Sequence, residues 1–218
     1  MFTGIVQSLV AVTGVEEERD LSRIELDLGE LAQGIELGAS VAVNGTCLTV
    51  TRTSNTGGVC FDIIKETLDT TNLGTLAAGS LVNVERSFKV GDEVGGHIVS
   101  GHVTATASLC DLRHEGHDRV LTFALDAQWL RFVLHKGYVG VDGASITVSS
   151  VDRENSTFSI SLIPETIERT TLGKLALGER VNVEVDSQTQ TIVETIERVM
   201  QDPQMREAMM SQALAGDD

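Results

Sequence analysis

Basic residues are scarce in this chain. Sixteen Lys and Arg stand against 32 Asp and Glu, leaving a formal charge of −16 over 218 residues. Nucleic acid and anionic membrane surfaces bind through Lys and Arg, so both are excluded as partners. Cysteine is as sparse: Cys47, Cys60 and Cys110 form an odd set with no CxxC or Cys/His spacing. That argues against a disulfide framework and against a zinc site, and no metal is expected. No apolar run approaches the ~20 residues a membrane helix needs. With no apolar leader at the start, the expected compartment is the reducing cytoplasm. A phosphate-cradling loop and a nucleotide-binding βαβ unit are both missing from the pattern.

What the chain does contain is itself, twice. Asn44-Gly45-Thr46-Cys47-Leu48-Thr49-Val50 returns as Asp142-Gly143-Ala144-Ser145-Ile146-Thr147-Val148. Ile63-Ile64-Lys65-Glu66-Thr67 returns as Leu162-Ile163-Pro164-Glu165-Thr166, and Gly79 to Glu85 returns as Gly178 to Glu184. Gly4-Ile5-Val6 matches Gly101-His102-Val103. Four blocks in one order, at a spacing too long for a solenoid, imply a duplicated domain.

Each copy reads as short strands. Ile5–Val12, Ser22–Leu28, Ser40–Val43, Cys47–Arg52, Gly58–Ile63 and Leu81–Arg86 are β-branched or alternate apolar with polar. Asn44-Gly45 and Asp142-Gly143 suit two-residue type I′ hairpins, which need positive φ at both positions. So many short strands predict a small closed barrel in each copy. Glu66–Asn72 and Glu165–Thr171 predict short helices ended by Gly74 and Gly173. The junction falls near the glycines Gly91, Gly95 and Gly96. Beyond the second copy, Ile192, Val193, Ile196, Val199 and Met200 recur at helical spacing, so a terminal helix carries an apolar stripe with no counterpart after the first copy. The expected division is an N-terminal barrel over 1–90, a C-terminal barrel over 96–187, a helix over 188–202 and a flexible tail over 203–218.

Matching polar residues would read the same ligand groups twice: Thr49 and Thr147, Glu66-Thr67 and Glu165-Thr166, Asn83 and Asn182. Strand and capping roles are the alternative for these types. The copies differ at Cys47 against Ser145, His102 against Ile5, Lys65 against Pro164, and at Lys136, whose counterpart lies near Leu37. A thiol is the strongest nucleophile of this set when accessible, although a strand cysteine also serves as a small buried hydrophobe. His97 and His102, five apart, would face opposite sides of a strand and share no metal.

The opening Met1-Phe2-Thr3-Gly4-Ile5-Val6, Asn44-Gly45-x-Cys47-Leu48-Thr49-Val50, Gly95-Gly96-His97-x-x-Ser100-Gly101-His102 and Ile163-Pro164-Glu165-Thr166 together resemble the riboflavin synthase family of the alpha-chain type, from Met1 to about Met200. The resemblance implies an all-β architecture of two tandem six-stranded Greek-key barrels plus a C-terminal α-helix, assembled as a homotrimer. It implies a transferase without added cofactor, which dismutates two molecules of 6,7-dimethyl-8-ribityllumazine into riboflavin and 5-amino-6-ribitylamino-pyrimidinedione. Carried over by motif, a first pocket takes Gly4, Ile5, Val6, Ser40, Cys47, Leu48, Thr49, Asp62, Ile63, Ile64, Lys65, Glu66 and Thr67. A second takes Gly101, His102, Val103, Lys136, Ser145, Ile146, Thr147, Ser161, Leu162, Ile163, Pro164, Glu165 and Thr166. Phe2 and Asp186 complete the site. Cys47, His102 and Ser145 are the expected catalytic residues. Lumazine synthase, which makes the substrate, is an expected partner. The competing readings are a non-catalytic lumazine- or flavin-binding accessory protein of the same fold and the flavin barrel of a reductase. The second would require a following nucleotide-binding domain.

Overall fold

A computed structural model describes residues 1–115 and 118–206. In its first half, β1 (Ser8–Glu18), β2 (Leu21–Asp27), β3 (Ser40–Val43), β4 (Thr46–Thr53), β5 (Gly58–Ile64) and β6 (Leu81–Arg86) close into a barrel in the order β1-β2-β5-β4-β3-β6. In the second half, β7 (Ala105–Glu115), β8 (Asp118–Ala124), β9 (Tyr138–Val141), β10 (Ala144–Asp152), β11 (Thr157–Leu162) and β12 (Arg180–Val185) follow the same circuit. Closure pairs each strand on both sides and leaves no sheet edge exposed.

Alternation decides which face points inward. Val41, Val43, Leu48, Val50, Phe61 and Ile63 fill the first barrel, and Val139, Val141, Ile146, Val148, Ile160 and Leu162 fill the second. Burying one such side chain stabilises the fold by roughly 1.5–3 kcal/mol. The intervening residues Ser40, Cys47, Thr49 and Asp62 therefore face outward, as do Tyr138, Ser145, Thr147 and Ser161. The hairpins between β3 and β4 and between β9 and β10 are as expected, with φ of 44° and 77° at Asn44 and Gly45, and 43° and 82° at Asp142 and Gly143.

Two local expectations need correction, and a third is sharpened. The first strand starts at Ser8, not Ile5, because the residues ahead of it pair elsewhere: Phe2 bridges Val99. The short helices α1 (Lys65–Thr70) and α3 (Pro164–Arg169) end at Thr71 and Thr170, whose hydroxyls each donate to a carbonyl one turn back at 2.6 Å. Gly74 and Gly173 cap neither helix. Each lies in the following 3-10 turn, where a Cβ would strike the backbone of Leu68 or Ile167. The structural counterpart of Lys136 is Gly38, since each donates its N–H to the end of the hairpin, Val148 and Val50, at 2.9 Å. Lys136 holds a φ of 63° there, a conformation that costs a non-glycine residue about 1–2 kcal/mol. A four-residue helix, α2 (Ala127–Leu130), links β8 to β9.

The terminal helix α4 (Ser187–Gln201) is N-capped by Asp186, which accepts from the Thr189 N–H at 2.8 Å and its hydroxyl at 2.7 Å. Val193 packs on the second barrel, while Ile192, Ile196 and Met200 remain 59%, 57% and 54% exposed. Of the expected tail, residues 203–206 are helical, and 207–218 lie outside the described residues.

Candidate functional site

The segments ahead of the two barrels, Thr3-Gly4 and Ser100-Gly101, decide how the outward faces become sites. Thr3 donates its N–H and hydroxyl to buried Glu85 on β6 at 2.6 and 2.7 Å, and the Gly4 N–H adds a bond of 3.1 Å. Burial pushes the Glu85 carboxyl up, and these donors oppose the shift. Ser100 and Gly101 bind Glu184 on β12 in the same way, at 2.6, 2.7 and 3.0 Å. Anchored so, each segment turns its carbonyl to the other barrel. Cys47 on β4 donates its N–H to Gly101 at 2.8 Å, and Ser145 on β10 donates to Gly4 at 2.7 Å.

The grouping of residues drawn from the sequence is thereby reversed. Gly4, Ile5 and Val6 lie against the Ser145 face, and Gly101, His102 and Val103 against the Cys47 face. Val6 packs on the core of the second barrel. Glycine is required at both crossings. A Cβ on Gly101 would sit 2.5 Å from the Cys47 Cβ, and one on Gly4 would sit 2.5 Å from the Ser145 Cβ, with φ of +83° and +72°.

The first site gathers Ser40, Cys47 and Thr49 on β3 and β4, where Ser40 is opposite Thr49 and Ala42 opposite Cys47. Cys47 is half-buried, and exposed His102 follows its hydrogen-bond partner Gly101. Among the described residues no hydrogen bond joins Cys47 to His102. Asp62 on β5 is gripped by Arg23 of β2 through two bonds of 2.7 and 3.2 Å. Lys65, Glu66 and Thr67 form the first turn of α1, and Lys65 pairs with Asp69 at 2.9 Å.

The second site gathers Tyr138, Ser145 and Thr147 on β9 and β10. Ser161 and Ile163 are exposed beside it, and Pro164, Glu165 and Thr166 begin α3. Here His97, to which the sequence assigns no role of its own, becomes central. His97 Nδ1 lies 2.6 Å from Ser145 Oγ, and the His97 N–H donates to the same oxygen at 3.1 Å. With Oγ accepting from the backbone, its own hydrogen is free to point at Nδ1. The ring stacks on Tyr138 at 5.1 Å and 16°. Burial lowers its basicity, with Asp186 pulling the other way. Its Nε2 is buried and has no hydrogen-bond partner among the described residues. A neutral imidazole on a serine hydroxyl can take up a proton.

Some expected contacts can be made only by backbone. Leu48, Ile63, Ile146 and Leu162 point into the barrels, and Phe2 is wholly buried beside Ala42 and Val99. Lys136 is exposed, and Asp186 spends one oxygen on the α4 cap. Asn83 and Asn182 do not face a ligand: they are 2% and 1% exposed at the seam between barrels. The sequence offered no sign of Arg23, Tyr138 or Glu85 as site residues. For His97 the signal was its motif, but no strand period applies to a segment that bridges Phe2 and then turns.

Two closed barrels that exchange their leading segments define a duplicated binding protein with two related sites per chain. The lumazine binding domain family model matches residues 3–87 and again 100–186. The riboflavin synthase of Escherichia coli is 47% identical over 202 residues, covering 92% of this chain and 93% of that protein. The riboflavin synthase of Mycobacterium bovis is 42% identical over 201 residues, covering 92% and 98%. The crystal structure of LumP complexed with riboflavin superposes with a TM-score of 0.78 at 26% identity, covering 86% of this chain and all of that one. The complex of LumP with 6,7-dimethyl-8-(1'-D-ribityl) lumazine gives 0.76 at 25%. The chain belongs to the lumazine-binding family and, within it, to the riboflavin synthases.

Proposed function

We infer that the chain is a transferase that converts two molecules of 6,7-dimethyl-8-ribityllumazine into riboflavin and 5-amino-6-ribitylamino-pyrimidinedione by moving a four-carbon unit from one to the other. The observation that carries this is duplication with unequal chemistry, in a chain similar to riboflavin synthases over nine-tenths of its length. Reactants that are identical molecules need like pockets, and their opposite roles need unlike side chains. Holding two flat rings in register removes much of the barrier, up to ~7–11 kcal/mol in favourable cases.

The roles follow from placement. Thr49 and Thr147, with strand backbone, hold the rings. Ser145, backed by His97, takes a proton from the acidic ring methyl of one molecule. Cys47 adds to the other, or directs a water to it, with His102 at its rim. We propose 1–90 and 96–187 as the limits of the two barrels. No added cofactor enters this reaction. The exposed stripe Ile192, Ile196 and Met200 supports a homotrimer held through α4, and Ile196→Asp should yield monomers by light scattering. No helix among the described residues is long and apolar enough to cross a membrane, and the cytoplasm is the compartment we assign. A complex with lumazine synthase is a separate proposal, tested by co-sedimentation of the two purified proteins.

The purified protein should turn the lumazine into riboflavin, with two substrate molecules consumed per flavin formed. Ligand that binds and stays unchanged would instead make this an accessory protein of the same fold.

A further inference from the structure

Asn83 and Asn182 occupy equivalent places on β6 and β12, and each reaches across the seam. Asn83 Nδ2 donates to the Asp142 carbonyl at 2.9 Å, and its Oδ1 accepts from the Thr171 N–H at 2.8 Å. Asn182 Nδ2 donates to the Asn44 carbonyl at 2.8 Å, and its Oδ1 accepts from the Asn72 N–H at 2.7 Å. A buried amide that both donates and accepts fixes its own orientation, and neither Asp nor Leu reproduces the pair of bonds. What each amide grips is the other barrel's hairpin turn. The Asp142-Gly143 turn, held by Asn83, leads directly into Ser145. The Asn44-Gly45 turn, held by Asn182, leads directly into Cys47. The two turns meet so closely that a Cβ on Gly45 would lie 2.6 Å from the Gly143 nitrogen.

We infer that Asn83 and Asn182 are positioning residues that act crosswise: Asn83 of the first barrel sets the Ser145–His97 site, and Asn182 of the second sets the Cys47 site. For the reaction this rests on the function proposed above, but the geometry has readouts that need no substrate. Cys47 reports one site through thiol labelling. Cys60 is buried, and exposed Cys110 can be replaced by Ser to leave Cys47 as the accessible thiol. His97 reports the other site through the titration of its ring, followed by NMR with labelled histidine.

In the Cys110→Ser background, Asn182→Asp should speed Cys47 labelling about fivefold, the factor produced by losing one hydrogen bond of ordinary strength. Asn83→Asp should leave that rate within about twofold, because Asn83 holds the Asn44 turn only through its backbone, by bonds of 2.8 and 2.9 Å that the substitution keeps. The His97 titration should reverse the pattern, moving up toward an ordinary histidine in Asn83→Asp and staying in place in Asn182→Asp. Both variants should lower kcat more than they raise KM. If either Asp variant fails to fold by circular dichroism, the Ser variant at that position keeps a donor and should show the same crosswise pattern at smaller size. Each amide affecting its own barrel's reporter, or both reporters moving together in both variants, would overturn the inference. Failure to make riboflavin with the crosswise pattern intact would instead sink the proposed reaction and leave the positioning role standing.

Discussion

The two barrels share a circuit and differ in chemistry. The first presents a thiol, an imidazole at the rim and an ion-paired carboxylate: Cys47, His102, and Asp62 held by Arg23. The second presents a hydroxyl on a buried imidazole beside an aromatic ring: Ser145, His97 and Tyr138. The inward rows are nearly interchangeable because both must fill a barrel of the same size. The outward rows are free of that constraint, so functional divergence collects there. The lesson of the pair is that each outward face is completed by the leading segment of the other repeat.

The largest effects should come from breaking the crossings. Gly101→Ala must take a left-handed φ and pushes a methyl into Cys47 and the Phe2 ring. A loss of about 2–4 kcal/mol of stability, seen as a lower midpoint in urea, and loss of turnover are expected. Gly4→Ala should do the same through Ser145, and a harmless outcome in either would break the symmetry drawn here.

Next come the side chains that make the sites unequal. His97→Gln should lower kcat about 100-fold, the size of a lost proton-transfer partner, with ligand affinity little changed. Cys47→Ser should cost about tenfold if the thiol adds to substrate. Full turnover in Cys47→Ser would take the thiol out of the mechanism.

A third difference is Asp142 in the second repeat where the first has Asn44. Burial pushes this carboxyl up to about 7, against hydrogen bonds from Asn182 and Asn72. Well below its ordinary value of 3.8 the group is protonated whether folded or not. As pH rises toward about 7 the unfolded chain ionises and the folded one resists, so stability falls through that window and levels off above it. Asp142→Asn copies the first repeat and should remove this slope, gaining on the order of 1–3 kcal/mol over the parent at alkaline pH and little in acid. Denaturant midpoints against pH check the sign.

The smallest effect is expected at Arg23, which has no charged counterpart across from Ser161. Its partly exposed pair with Asp62 is screened by solvent and should contribute little. Arg23→Gln should therefore change stability slightly and, if Asp62 touches substrate, raise KM without lowering kcat.

Much of this is legible in the sequence. Asn44-Gly45 and Asp142-Gly143 announce their turns because the φ they need is a property of two adjacent residues. The alternation of Val41 and Val43 with Ser40 and Ala42 announces a face because its period is local. The stripe in α4 is local too. Asn83 and Asn182 misled because an amide suits a ligand and a buried seam equally well, and only the neighbour tells which. His97 is hidden for a similar reason: its segment bridges Phe2 through Val99 and then turns, so no strand period tells which way the ring points.

By itself the sequence determined the duplication, the strands, the hairpins and the residues in which the copies differ, since each is encoded within a few neighbours or by direct comparison. The tertiary structure alone decided that Gly101 closes on Cys47 and Gly4 on Ser145, that His97 meets a hydroxyl, and that two asparagines bind the halves together. Those contacts join residues about 50 to 140 apart in the chain, where no pattern of neighbours can specify which groups meet until both barrels have closed and docked.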